Sequence, residues 1–381
     1  MSNPVLEAQT TPGPARPPAP RPVTQMVIGC LVVPVILVLI VGAFLGYIWY
    51  TATAELIVPA ADVLLVRTAP DESAPLLARF GAGQHLPITG RSADWRWLAV
   101  EIWDGQQGWA QRPLDLLVWQ LRADVATPQA GAPLPVSPPP IAEEMITLAG
   151  GAFTMGSPPG LGEADEAPAH TATLSPFAID RTEVTVGQYW QCVAAGACDA
   201  PTGNASQAAV HYLNAVAFDN HPVIHVPWSA AKAYCEWRGK RLPTEAEWEM
   251  AAGWDAGRHA KLNWPWGNEA VASEVNVAGR LPDVAPVGTL TADRSPAGVL
   301  DLGGNVREWV LDWYKVDYYR LSDTTNPAGP TSRRGEGVGR VVRGASFADP
   351  IASARTAKRG HEDPAYGYNT VGFRCAQTVT P

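Results

Sequence analysis

An uninterrupted apolar run at residues 27–50 divides this chain before any other reading is possible. A helix needs about 20 apolar residues to cross a hydrocarbon core, and this run supplies them. Pro34 would break a soluble helix but is tolerated in a membrane one. Arg16 and Arg21 precede the run and Glu55 follows it. The positive-inside rule therefore puts the N-terminus in the cytoplasm and the rest of the chain outside. Ala52-Thr53-Ala54 imitates a signal-peptide cleavage site. Signal h-regions are about 7–15 residues long, so an uncleaved single-pass anchor over 26–50 is the better reading. Residues 1–25 are rich in Pro, Ala and Thr and form no core, as expected of a disordered cytoplasmic tail.

Beyond the anchor, residues 55–119 show short alternating apolar runs broken by turn residues. Asp104-Gly105 between two aromatic-apolar runs is a strong hairpin signal. V-R-T-A-P at 66–70, F-G-A-G-Q at 80–84 and D-G-Q-Q-G-W-A at 104–110 together resemble a bacterial SH3-like domain, a small all-β barrel. The resemblance implies either recognition of a cell-wall peptide or packing against a neighbouring domain. Trp95, Trp97, Trp103 and Trp109 could line a peptide groove, but core is the better reading for any one of them. Residues 120–143 are Pro- and Ala-rich without helical or strand period, the signature of an extended linker.

The 381 residues are 46% hydrophobic and 17% charged, with a net charge of −9 and no basic stripe. Nucleic acid is excluded as a natural partner. Four of the five cysteines lie outside the apolar run, an even set suited to an oxidising compartment.

In the remaining part, Thr244-Glu245-Ala246-Glu247 reads as a capping box, predicting a short helix over about 245–252. Capping and solvation account for Glu245, Glu247 and Glu249 more simply than paired catalytic carboxylates do. A preceding helix near 228–238 ends at Gly239. His170, His211, His221, His225 and His361 are scattered, with no HExxH, phosphate loop or nucleophile elbow.

MITLAGGAFTMGS at 145–157, PVIHVPWSAAKAYCEWRGKRLPTEAEWEMAA at 222–252, GGNVREWVLDW at 303–313, RGASF at 343–347 and GFRCA at 372–376 occur in one order. Residues 144–378 thereby resemble the formylglycine-generating enzyme (sulfatase-modifying-factor) family. The resemblance implies an α+β, C-type-lectin-like fold with little regular secondary structure. It implies a disulfide between Cys235 and Cys375; a second, local one between Cys192 and Cys198 is plausible from their spacing around Gly196.

Catalytic members of this family hold copper on two thiolates after the R-G-[GA]-S motif. Counted from Ser346 without gaps, those places hold Ala354 and Arg359 here, with Ile351 three residues before the first. The conclusion does not depend on the count, because no cysteine lies between Cys235 and Cys375. Cu(I) prefers soft thiolates, and a guanidinium cannot coordinate it, so copper is not expected. Arg307, Arg355, Lys358 and Arg359 either present a cationic pocket to an anionic ligand or pair with Asp349, Glu362 and Asp363 on the surface.

The resemblance also implies calcium, held by the Asp301 and Glu308 side chains and the Gly304 and Val306 carbonyls. A second calcium site would begin at Asn276 and Val277, with Asp283 as its partner. Three functions follow: a copper-less extracytoplasmic binding module, a formylglycine-generating oxidase, or an accessory domain whose chemistry a partner supplies. The oxidase would need Cys192 and Cys198 to reach the site.

Overall fold

The computed structural model describes residues 55–58, 63–112, 143–270, 275–330 and 339–379. The tail, the apolar run at 27–50 and nearly all of the Pro-rich linker lie outside them. Among the described residues no helix is long and apolar enough to cross a membrane.

The first part is all-β. Strands β1 (Glu55–Ile57), β2 (Leu64–Arg67), β3 (Leu76–Phe80), β4 (His85–Arg91), β5 (Trp97–Trp103) and β6 (Gln106–Gln111) form one sheet in the order β1-β4-β5-β6-β2-β3. Every pairing is antiparallel. Alternation sends Leu56, Leu64, Val66, Leu86, Leu98 and Val100 into a common core. The hairpin falls where the sequence puts it. Asp104 and Gly105 both have positive φ, at 48° and 74°, as the tight β5–β6 turn requires. Trp97 and Trp109 are buried around Ala99. Trp95 lies under the Arg91 guanidinium, and Trp103 stacks on His211 of the second part, with centroids 4.7 Å apart.

The second part is α+β, with short strands and three short helices. It runs β7 (Met145–Leu148), β8 (Gly151–Met155), β9 (His170–Leu174), β10 (Phe177–Asp180), α1 (Val186–Ala194), α2 (Trp228–Trp237), α3 (Glu245–Gly253), β11 (Trp254–Asp255) and β12 (Ala260–Lys261). There follow β13 (Arg307–Trp313), β14 (Arg340–Arg343), β15 (Arg359–Glu362), β16 (Val371–Phe373) and β17 (Ala376–Thr378). A three-stranded sheet, β17-β10-β7, brings the C-terminal strand back to the beginning of the domain. A four-stranded sheet, β15-β14-β13-β16, carries the site described below, and its β13–β16 pair is parallel.

Helix α3 is set by the capping box read from sequence: Thr244 accepts from the Glu247 amide, and Glu247 from the Thr244 amide. Helix α1 has the same device in Thr185 and Gln188. One apolar core gathers Tyr189, Trp190, Tyr234, Trp309 and Phe373 around α1 and α2. The other packs Phe153, Phe177, Ile179, Trp248 and Val310 around α3. Cys235 and Cys375 are joined in the first core, across 140 residues of chain, and Cys192–Cys198 closes the end of α1. Constraining a loop that long adds about 4–5 kcal/mol in the chain-entropy account.

Candidate functional site

Three charged residues stand in line across the four-stranded sheet. Glu308 on β13 is in register with Arg343 on β14, which is in register with Arg359 on β15. Helix α3 lies against them. Glu245 and Glu249 are four residues apart and share a helix face. Arg343 donates to Glu245 at 2.8 Å and to Glu249 at 2.7 Å. Arg359 donates to both oxygens of Glu245, at 2.8 and 3.0 Å, and to the carbonyls of Asp165 and Lys315. Its guanidinium also faces the Tyr319 and Tyr314 rings. Lys261 adds a second cation to Glu249.

This arrangement corrects two expectations. Solvation does not account for Glu245 and Glu249, which are buried at 0% and 1% exposure as partners of Arg343, Arg359 and Lys261. Only Glu247 acts as a cap, held also by Arg241. Burial opposes ionisation of Glu249, yet Lys261 and Arg343 outweigh it and bring its carboxyl down to about 2.

The cationic pocket is likewise replaced by ion pairs. Arg355 forks onto Glu166 at 2.5 and 2.7 Å and reaches the Ser157 hydroxyl. Lys358 pairs with Glu163. Arg307 pairs with Glu362 at 2.7 Å and Asp349 at 3.5 Å, as the surface-pairing reading expects. Arg355 and Arg359, by contrast, are buried struts.

Ile351 and Ala354 bound a short 3-10 turn. Ala354 is fully buried with Val275, Val277 and Ala345, beside Trp264, Trp266 and Ile351. The Trp264 indole donates to the Ile351 carbonyl. The neighbourhood of Ala354 is therefore apolar, and Arg359 is committed to Glu245. All four cysteines among the described residues are in disulfides, so Cys192 and Cys198 offer no free thiols.

The calcium loop divides. Both oxygens of Glu308 take the Arg374 guanidinium at 2.7 Å, and one also accepts from the Trp248 indole at 2.9 Å. Arg374 further donates to the Leu300 and Asp301 carbonyls. A guanidinium thus already serves Glu308, and this carboxylate does not fit a calcium ion.

Asp301 fits better. Its carboxyl accepts from the Gly288 amide at 2.5 Å and lies against Glu183. Burial and then the Asp301 charge push the Glu183 carboxyl well above its usual range, and burial raises Asp301 as well. Glu183 Oε2 and Asn276 Oδ1 are buried without hydrogen-bond partners, the kind of leftover acceptors a cation satisfies. Asn305 links them, donating to Glu183 at 3.0 Å and accepting from Asn276 at 3.2 Å.

In the proposed second site, Asp283 is engaged elsewhere. It accepts from the Ser206 hydroxyl and from the amides of Gln207, Ala208 and Val284. Glu183, Arg374 and Glu166 were missed by sequence reasoning, because their partners lie 60 or more residues away in the chain for each pair. The arginine inside GFRCA was the one available signal.

Residues 133–379 match the family model for the sulfatase-modifying factor enzyme 1-like domain, and the chain belongs to that family. It is 35% identical over 259 residues to the serine/threonine-protein kinase pkn1 of Chlamydia pneumoniae, covering 64% of this chain and 39% of the kinase. The chain thus spans about two fifths of the length of that relative. It is 34% identical to the formylglycine-generating enzyme of Streptomyces coelicolor, covering 66% of this chain and 96% of that enzyme. Among solved structures it is similar to PvdO from Pseudomonas aeruginosa, at 27% identity and a TM-score of 0.48, over 62% of this chain and 94% of that one.

Proposed function

We propose that this chain is a membrane-anchored, extracytoplasmic binding or interaction protein in which a sulfatase-modifying-factor domain has given up copper chemistry. The observation that carries this reading is the lack of any thiol between Cys235 and Cys375. The apolar packing around Ala354 and the Arg359–Glu245 pair support it, since neither offers a soft ligand. Calcium belongs to the same reading, with Asp301 as its side-chain ligand, the Gly304 and Val306 carbonyls beside it, and Glu183 joining in place of Glu308. Its contribution is to the fold. The N-terminal β unit is of bacterial SH3-like type, and the run at 27–50 anchors the chain with its N-terminus in the cytoplasm.

A second reading is favoured by the Chlamydia match. That relative is named as a kinase, and this chain corresponds to less than half of it. The domain can therefore serve as the binding half of a system whose chemistry resides in another protein. Metal analysis of the purified chain separates both readings from an oxidase. Calcium without copper is the expected result, and stoichiometric copper overturns the pseudoenzyme assignment.

A further inference from the structure

A cleft of about 320 Å³ opens in the large domain between the end of β10, helix α2 and the loop of residues 287–300. It shares no residue with the apolar surroundings of Ala354 and does not include Arg359. Small-molecule sites run from about 300 Å³ upward, and a bare ion needs far less. Val184, Val287, Leu300 and the Tyr234 ring give the cleft apolar walls. Tyr234 is buried, and its hydroxyl makes no hydrogen bond among the described residues, so it offers one to an entering ligand.

Most charges around the cleft cancel in pairs. Lys240 bonds Asp180 at 2.7 Å, Arg181 bonds Glu144 at 2.5 Å, and Arg238 bonds Glu143 at 2.5 Å. Glu183 stands outside this balance. It lines the cleft at 1% exposure, its Oε1 accepts only from the neutral Asn305, and its Oε2 is buried without a partner. Arg374 lies in the same neighbourhood but is spent on both oxygens of Glu308. A buried carboxyl with an oxygen to spare is a place for a cation. Asp301 is buried outside the cleft lining, bonded to the Gly288 amide, so Glu183 borders both the calcium site and the cleft.

We propose that this cleft binds a small organic cation, a primary ammonium on an apolar body, with the ammonium at Glu183. The body packs against Val184, Val287, Leu300 and the Tyr234 ring. The paired charges favour neither sign, and the unpaired glutamate selects the ammonium over an uncharged isostere. This goes beyond the calcium reading, because calcium and the ammonium use one carboxyl and exclude each other.

Calorimetric titration of the full-length chain tests this, first in chelator, with phenethylammonium, its neutral isostere 2-phenylethanol and the anion 3-phenylpropionate. Phenethylammonium should bind saturably and about tenfold more tightly than the alcohol, the scale of one charge-assisted hydrogen bond. Glu183→Gln should bring the two within about twofold of each other. Thr291 is an exposed residue of the lining, so Thr291→Trp should fold and weaken both ligands by obstruction. Added calcium should weaken phenethylammonium binding. Ammonium selectivity that ignores calcium supports the cleft and removes Glu183 from the calcium site. The proposal is overturned by absent phenethylammonium binding, equal affinity for the alcohol, or tighter binding of the carboxylate. Selectivity unchanged in Glu183→Gln, or binding unchanged in Thr291→Trp, overturns it equally.

Discussion

Arg359 grips Glu245 with two parallel hydrogen bonds, from Nε at 2.8 Å and Nη2 at 3.0 Å, both groups being fully buried. The pair joins β15 to the N-terminal turn of α3, where a negative charge also suits the helix dipole. Arg343 shares the same glutamate, so one carboxylate holds two strands against one helix.

Removing one member leaves a buried charge short of its partner. Arg359→Met should destabilise the large domain by about 3 kcal/mol, since breaking a buried pair costs roughly 3–5 kcal/mol. Adding Glu245→Gln to it should recover part of that loss. Denaturant melts of the single and double variants measure both terms, and an Arg359→Met melt superimposable on wild type contradicts the role given to this pair.

Asp312 makes stability depend on pH in the opposite sense to a salt-bridged acid. Burial, then the neighbouring Glu245 charge, pushes its carboxyl up to about 8. The folded state therefore holds this proton more tightly than the unfolded state does. Its contribution is complete below about pH 4 and is lost as the pH rises toward 8. Asp312→Asn keeps an acceptor for the Glu245 amide, now bonded at 2.8 Å, and removes the titration. Urea melts between about pH 4 and 8 should show a smaller loss of stability with rising pH in the variant. Parallel curves would rule out the assignment.

Calcium at Asp301 and Glu183 should raise the melting temperature by mass action. Chelation should lower it, and either Asp301→Ala or Glu183→Gln should abolish the response. Glu308→Gln behaves differently, because its partner is Arg374: it should lower the melting temperature while leaving the calcium response in place. A wild-type protein indifferent to calcium and chelator contradicts the site, and a Glu308→Gln protein that alone loses the response returns the ligand role to Glu308.

Much of the architecture was legible in local sequence. The Thr244 capping box, the Asp104-Gly105 turn and the helix ending before Gly239 depend on neighbours a few residues apart, which a sequence displays. The family motifs supplied the α+β domain and the Cys235–Cys375 bond. What stayed hidden was long-range charge pairing. Glu245 and Glu249 look like surface residues until Arg343 and Arg359 arrive 94 to 114 residues later in the chain. Arg355 looks free until Glu166 is folded against it. The antiparallel bridge from Ala78 on β3 to Ala215 was open for the same reason, since an edge strand does not announce which segment will cover it.

The central claim is that this domain does not convert a cysteine to formylglycine. Thiolates both hold copper and set its reactivity, and the described cysteines are all spent in disulfides. The direct measurement is the mass of a Cys-x-Pro-x-Arg peptide after incubation with the full-length protein, Cu(I) and oxygen. An unchanged mass is the predicted result. Aldehyde formation that persists in the Cys192→Ser/Cys198→Ser variant would contradict both the pseudoenzyme reading and the requirement for a thiolate pair.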